Sequence, residues 1–358
     1  MVVSVIVPVR NEAASVGATL RKLLTQDYPA DRFEVVVADG FSTDATVAVV
    51  RELQGEFGNL KLVYNPDRLS SAGRNAAVRH AVGDVVVLVD GHCQVPDAHY
   101  LRNVVAALEA SDADTLGRPQ PLDAPDPTPF QRAVSTARSS RLGHNPDSDI
   151  YSTEAKFVAP QSTAVVYRRG VFERVGLFDQ LFDACEDVEF NGRVAAAGLT
   201  CYFAPAIAIE YHPRGSLPAL FKQLARYGAG RARLAAKDPR SLTLPALVPP
   251  AWVLWVAVGG PLSAAVPYFG WLYAASLTFY AAVILAGSAW LGRNLPARVG
   301  VRLPAVFVGI HLGFAYGFLR EVARRLSPGR GVTPASRATA PARPRAPTTP
   351  PRPTWRSA

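Results

Sequence analysis

The run Asp84-Val85-Val86-Val87-Leu88-Val89 ends in Asp90-Gly91-His92. Two residues apart at the end of a strand, Asp90 and His92 fall on the same side. A hard divalent cation such as Mg²⁺ or Mn²⁺ prefers carboxylate and phosphate oxygens, and imidazole also suits Mn²⁺. Its task would be to neutralise a diphosphate leaving group. A strand-end turn with a surface histidine accounts for the same residues. Asp39-Gly40-Phe41-Ser42-Thr43-Asp44 likewise follows a strand pattern and opens a helix pattern. Its carboxylates can accept hydrogen bonds from a base or a ribose, and Ser42 or Asp44 as a plain helix cap would explain the segment equally. Glu186-Asp187 opens another helix pattern, where paired acids either complement the helix dipole or supply the base for an attacking hydroxyl.

These groups need a scaffold that brings them together. Val2–Val7, Phe33–Ala38, Leu60–Tyr64 and Asp84–Val89 read as strands, and stretches 13–24, 43–56, 70–82 and 97–109 as helices. The alternation predicts βαβ units and a parallel sheet covered on both faces. Ligands of such sheets sit beyond the carboxyl ends of the strands, here the polar segments Pro8–Glu12, Asp39–Asp44 and Asp90–His92. From 120 to 215 the pattern is less regular: a Pro/Asp-rich loop over 119–129, strands over 164–167 and 201–208, and a helix over 187–197.

Composition divides the chain. Of 358 residues, 49% are apolar and 19% charged, which excludes disorder throughout. Three cysteines without CxxC spacing fit a reducing compartment. The formal charge is +9, yet twelve arginines and one acid, Glu321, lie beyond residue 240, leaving 26 basic against 28 acidic residues before it. The N-terminal domain therefore carries no nucleic-acid footprint. The N-terminus runs straight into a strand pattern with no basic region before it, so no cleavable signal peptide is expected.

Residues 216–237 form a basic amphipathic pattern suited to a membrane surface. Residues 244–267 and 268–291 carry no charge, and each can cross a hydrocarbon core of roughly 30 Å. Trp252, Trp255, Tyr268, Trp271, Tyr273 and Trp290 fall near interface levels. A buried helical hairpin is the competing reading. Arg231, Arg233, Lys237 and Arg240 before the first span, and Arg293, Arg298 and Arg302 after the second, belong in the cytoplasm by the positive-inside rule. A third run, Leu303–Leu319, holds His311 and is at the short limit. A full crossing there would carry Arg320, Arg324, Arg325 and Arg330 outside against the rule, so that segment is either re-entrant or interfacial, or overrides it. The expected division is a catalytic domain over 1–240, membrane segments over 244–320 and a disordered Pro/Arg-rich tail over 327–358.

Taken together, the motifs resemble the family-2 glycosyltransferases of GT-A fold, over residues 2 to about 235. Val5-Ile6-Val7-Pro8-Val9-Arg10-Asn11-Glu12 resembles their opening strand and loop, Asp39 to Asp44 their nucleotide-binding segment, and Ala72-Gly73-Arg74-Asn75 with Gly83-Asp84 the run into the metal motif. Glu186-Asp187 is similar to their Glu-Asp pair, and Gln223-Leu224-Ala225-Arg226-Tyr227 to a Gln-x-x-Arg-Trp motif with Tyr replacing Trp. The metal motif departs from Asp-x-Asp by ending in His92. The subgroup resembled is the membrane exopolysaccharide transferases of the succinoglycan-biosynthesis type.

The resemblance implies an α/β GT-A (Rossmann-like), mostly parallel sheet domain followed by C-terminal transmembrane helices. It implies a nucleotide-diphospho-sugar donor, with UDP as the expected carrier, held by Pro8, Arg10, Glu12, Asp39, Ser42, Asp44, Arg74 and Asn75. Asp90 and His92 would hold Mg²⁺ or Mn²⁺. Asp187, beside Glu186, would be the base of an inverting transfer. Gln223, Arg226, Tyr227 and His212 would meet acceptor or diphosphate, His212 being equally explicable as structural. The expected acceptor is a polyprenyl-linked saccharide at the cell membrane, reached from a cytoplasmic catalytic domain by a multi-pass protein working with other polysaccharide-assembly proteins. Processive polymer synthesis and an inactive membrane scaffold of the same fold are the alternatives.

Overall fold

The computed structural model of the chain describes residues 1–122, 126–144 and 149–327. The tail expected beyond 327 lies outside the described residues. The strands are β1 (Val3–Val9), β2 (Phe33–Asp39), β3 (Leu60–Tyr64), β4 (Val85–Leu88), β5 (Cys93–Gln94), β6 (Thr115–Gly117), β7 (Lys156–Val158), β8 (Ala164–Arg168), β9 (Cys201–Phe203) and β10 (Glu210–Tyr211). Eight form one sheet in the order β3-β2-β1-β4-β8-β6-β9-β7, and β5 pairs with β10 apart from it. Only β8 and β7 run against the rest.

Helices α1 (Val16–Leu24), α2 (Thr46–Glu56), α3 (Ser70–His80) and α4 (Tyr100–Ser111) cover the first half of the sheet. Then come α5 (Pro129–Arg138), α6 (Pro160–Thr163), α7 (Arg169–Val175) and α8 (Glu186–Ala196). Finally α9 (Leu217–Lys237) leads to α10 (Leu244–Ala265), α11 (Pro267–Gly292), α12 (Ala297–Gly300) and α13 (Leu303–Leu326).

The valine runs make the central strands. In β2, Val35 and Val37 enter one core layer with α1, α2 and α4, while Val36 and Ala38 enter the opposite layer with α3 and α8. A strand buried on both faces needs continuous apolar sequence, and each fully buried valine contributes roughly 1.5–3 kcal/mol. Pro8 is tolerated within β1 because of where it falls. The β1–β4 register ends at Ile6↔Leu88, with Val89 N–H on the Ile6 carbonyl. Pro8 faces the side where that partner has already left, so its missing N–H costs no ladder bond.

Two expectations need correction. The strand predicted over 201–208 stops at Phe203, because Pro205 opens a short 3₁₀ turn, Pro205–Ile207. The third apolar segment does not end at Leu319 but runs to Leu326, its interior acid Glu321 being paired with Arg324 and Arg325 at 2.7 and 3.1 Å. Helix α5, unforeseen in the loop region, starts at a capping box between Thr128 and Gln131.

The apolar helices differ in setting. Leu244–Ala265 and Tyr268–Gly292 bury 11% and 6% of their most apolar stretch within the protein, whereas Ala297–Leu326 buries 44%. All three are long and apolar enough to cross a membrane. Helix α13 lies parallel to α9: Gly309 faces Leu217, Gly313 faces Phe221 and Gly317 faces Ala225. A β-carbon on Gly228 or Gly317 would collide with the carbonyl oxygens of Phe314 and Ala225 respectively, so the backbones meet through small residues. The pair ends where Arg233 reaches Glu321 at 3.4 Å. The basic end of α13 therefore returns beside the α/β domain.

Candidate active site

The loops after β1 and β2 are bound to each other at the carboxyl rim of the sheet. Asn11 N–H donates to Ser42 Oγ at 2.9 Å, Thr43 N–H to Asn11 Oδ1 at 2.8 Å, Glu12 N–H to Thr46 Oγ1 at 2.8 Å and Ala13 N–H to Asp44 Oδ2 at 3.1 Å. Asp44 also takes the Thr46 N–H and hydroxyl at the start of α2. The Thr46 hydroxyl foremost holds its carboxyl below the usual range. Asp44 and Ser42, expected in the donor pocket, join the two loops here, Asp44 also holding the first residue of α2. Asp39 is buried at the tip of β2, its carboxylate accepting the Ser42 N–H. Arg10 remains exposed, its stem against Gly40.

The metal motif closes the next loop. Gly91 approaches Val9 so closely that a β-carbon would lie 2.7 Å from Val9 Cγ1. That contact turns His92 back toward Glu12, whose Oε1 lies 3.1 Å from His92 Nδ1. Burial raises the Glu12 carboxyl, but His92 outweighs it and holds the carboxyl below its usual range. Burial opposes the imidazolium, yet Glu12 and Asp90 hold its proton more tightly than usual. Burial raises Asp90 as well, and Arg74, His92 and Arg118 together keep it low.

His92 Nε2 is buried without a hydrogen-bond partner. An imidazole held through Nδ1 by a carboxylate, with Nε2 left over, is the arrangement of a metal ligand. Among the described residues no group of three or more His, Cys, Asp or Glu is arranged to hold an ion. The donor set fits a cation bound by Asp90 and His92 and completed by ligand oxygens, as hard cations accept.

Arg74 joins this motif to the Glu-Asp pair. From α3 it lies 3.3 Å from Asp90 through Nη2 and 3.3 Å from Glu186 through Nη1, with its side chain 9% exposed. Burial opposes its charge, but Glu186, Asp90 and Asp187 hold the proton. Burial raises Glu186, with Arg74 opposing and Asp187 adding. Asp187 is half-buried, one oxygen accepting Val188 N–H at 2.9 Å. Asn75, expected at the donor, is buried and clamps both backbone groups of Phe178 at 2.8 and 2.9 Å. Phe178 stacks on Phe190, 4.3 Å between centroids, and lies beneath Arg74. Asn75 thus fixes the turn that delivers Glu186.

The β5–β10 pair sets Cys93 opposite Tyr211, bringing the Tyr211 ring edge-on to His92 at 5.3 Å. Gln223 and Arg214 donate to the Tyr211 hydroxyl at 3.1 and 3.2 Å. Arg226 is bound to the Asp183 carbonyl at 2.8 Å, and Tyr227 stands 37% exposed with Arg138 over its ring. His212 Nε2 is buried and unpartnered. Sequence reasoning missed Tyr211 and Arg118, whose Nη1 and Nη2 bind Tyr100 and the Leu88 carbonyl at 2.6 and 2.9 Å. Both act through pairings between distant segments, which leave no local pattern.

An open α/β sheet whose acidic groups gather at the carboxyl rim beside one buried arginine has its candidate ligand site where such sheets bind theirs. Residues 4–176 match the model of Glycosyl transferase family 2. The chain is 30% identical over 320 residues to the succinoglycan biosynthesis protein ExoA of Rhizobium meliloti (strain 1021), covering 89% of this chain and 94% of that protein. It belongs to glycosyl transferase family 2 and is a glycosyltransferase. It is also 28% identical over 244 residues to a dolichyl N-acetyl-alpha-D-glucosaminyl phosphate 3-beta-D-2,3-diacetamido-2,3-dideoxy-beta-D-glucuronosyltransferase of Methanococcus voltae, covering 66% and 74% of the two chains. Among solved structures, the mannosyltransferase PcManGT from Pyrobaculum calidifontis in complex with GDP-Man and Mn2+ has the same fold, with TM-score 0.55 and 24% identity over 87% of this chain and 86% of that one.

Proposed function

We propose that the chain transfers a sugar, with inversion, from a nucleotide-diphospho-sugar to a membrane-borne saccharide acceptor in cell-surface polysaccharide or glycolipid synthesis. The observation that carries this is Arg74, which ties the Asp90 motif to the Glu186-Asp187 pair within one buried junction. Asp39 and Arg10 face the nucleoside end of the donor. Asp90 and His92 hold a divalent cation, which when bound neutralises the departing diphosphate. That the PcManGT structure contains GDP-Man and Mn2+ supports this choice of ligands.

Asp187 takes the proton from the acceptor hydroxyl, and the alkoxide attacks the anomeric carbon opposite the diphosphate. Glu186, 3.3 Å from Arg74, holds that guanidinium beside the base. Tyr227 and Gln223 border the acceptor side.

Residues 1–240 serve as the catalytic domain, and α10 and α11 cross the cell membrane as a hairpin. With α13 lying along α9 and not crossing, its arginines would stay on the cytoplasmic side as the positive-inside rule asks, and the Arg233–Glu321 pair supports that placement. Tethering raises the effective concentration of a membrane-borne acceptor. The relative named for a dolichyl phosphate-linked sugar supports a polyprenyl-type carrier, and the one named for succinoglycan supports polysaccharide synthesis. A donor screen on membranes, reading nucleoside diphosphate release with lipid extract added, tests the reading. Release that depends on the extract is expected, and equal release with soluble sugars alone contradicts the lipid-borne acceptor.

A further inference from the structure

Two arginines and a histidine gather about Tyr227, and among the described residues neither arginine is in an ion pair. Arg138, the last residue of α5, lies over the Tyr227 ring at 5.7 Å, and its Nε is buried with no partner. Arg231 is four residues after Tyr227 on α9, hence on the same helix face. His144 stands edge-on to Tyr151 at 5.2 Å, and its Nε2 is buried without a partner. Burial foremost, then Arg138 and Arg231, push His144 down to about 4, so near pH 7 its imidazole is a neutral hydrogen-bonding group beside two charged guanidiniums. The Tyr227 phenol is raised foremost by burial, with Arg138 opposing and the Asp187 and Asp90 carboxylates adding.

Neighbouring cations of α9 are neutralised: Arg233 by Asp183 and Glu321, Lys237 by Asp179 and Glu189. Among the described residues no carboxylate pairs with Arg138 or Arg231, and the Arg138 Nε is buried without a hydrogen-bond partner. Like charges gathered in partly buried space are unfavourable unless an anion completes them.

The cluster also touches the apolar helices. The carbonyl of Leu142, between Arg138 and His144, accepts from His311 of α13 at 2.9 Å. Ala133, Val134 and Ala137 of α5 pack with Leu303 and Phe307. A ligand with an anionic head and an apolar chain would find both here.

We propose that Arg138, Arg231 and His144 form an anion subsite that receives the phosphate or diphosphate of the acceptor, setting its sugar against Tyr227 and Asp187. The assignment rests on the transferase reading above and is separate from the diphosphate site at Asp90. Charge-assisted hydrogen bonds from guanidinium to phosphate supply the affinity.

The test is a titration of full-length protein in detergent with farnesyl diphosphate, farnesol and inorganic diphosphate, alongside UDP with Mn²⁺. Wild type should bind farnesyl diphosphate, and R138Q and R231Q should each weaken it at least tenfold, while R138K and R231K retain most of it. UDP affinity should stay within twofold throughout. Should a glutamine variant fail to fold, thermal shift of the wild type decides: farnesyl diphosphate raises Tm and farnesol does not. Inorganic diphosphate binding at least tenfold more weakly assigns the subsite to a lipid headgroup, and equal binding assigns it to a free anion. Unaltered farnesyl diphosphate binding in the glutamine variants, its absence in the wild type, or a parallel loss of UDP affinity overturns the proposal. Failure of the wild type to bind any nucleoside diphosphate or release one from a donor faults the transferase reading instead.

Discussion

His92 turns Nδ1 to Oε1 of Glu12 at 3.1 Å and keeps Nε2 buried without a partner. The carboxylate on the β1 loop orients an imidazole 80 residues away. Loss of such an orienting partner lowers metal affinity by roughly 10–100-fold. Glu12→Gln is therefore expected to raise the Mn²⁺ concentration needed for nucleoside diphosphate binding by that factor, read by titration calorimetry. An unchanged requirement would count against His92 as a ligand.

Asn75 clamps the Phe178 backbone through two buried hydrogen bonds. Stranding buried partners costs about 1–3 kcal/mol each. Asn75→Ala should lower unfolding stability by about 2–5 kcal/mol, measured by denaturant titration. A variant of wild-type stability with a raised donor KM would instead assign Asn75 to the donor.

Gly317 meets the Ala225 carbonyl where α13 lies on α9. Gly317→Val has no room and must push the helices apart, with overpacking typically costing about 1–3 kcal/mol. Transfer should fall more than donor binding does, because Gln223 and Tyr227 ride on α9. Equal transfer in membranes from variant and wild type would show that α13 does not support the acceptor side.

Glu34 gives the pH dependence. Burial raises its carboxyl, but Lys61, Ser4 and the Val82 N–H outweigh burial and hold it below the usual 4.5. A depressed carboxyl stabilises the fold above its unfolded value, and that contribution is lost as pH falls through the folded value. Stability should drop as pH falls below about 4.5, and Glu34→Gln should flatten that drop while costing about 1–3 kcal/mol at pH 7. Thermal unfolding between pH 3 and 7 reads both, and parallel curves would refute the assignment.

The sheet was legible because Val35, Val36, Val37 and Val85, Val86, Val87 can satisfy only strands buried on both faces, and polar residues follow each run. The rim was legible for the same reason. The hydrogen bonds that Ser42, Asp44 and Asn75 make there were not, because a side chain that joins two segments has the same composition as a ligand-binding one. Tyr211 and Arg118 were hidden by pairings across distant segments. The path of α13 was hidden too: hydropathy records an apolar helix, while the contacts of Gly313 and Gly317 decide that it lies on α9.

The central claim, that Asp90 and Asp187 serve one transfer through Arg74, is tested most directly by comparing Asp187→Asn with Asp90→Ala in the same membranes. Both donor binding and single-turnover transfer are measured. Asp187→Asn should bind donor as the wild type does and lose roughly 10²–10⁴-fold in transfer, the usual contribution of a general base. Asp90→Ala should lose cation-dependent binding itself. Transfer at wild-type rate by Asp187→Asn, or cation-dependent binding intact in Asp90→Ala, would contradict the account.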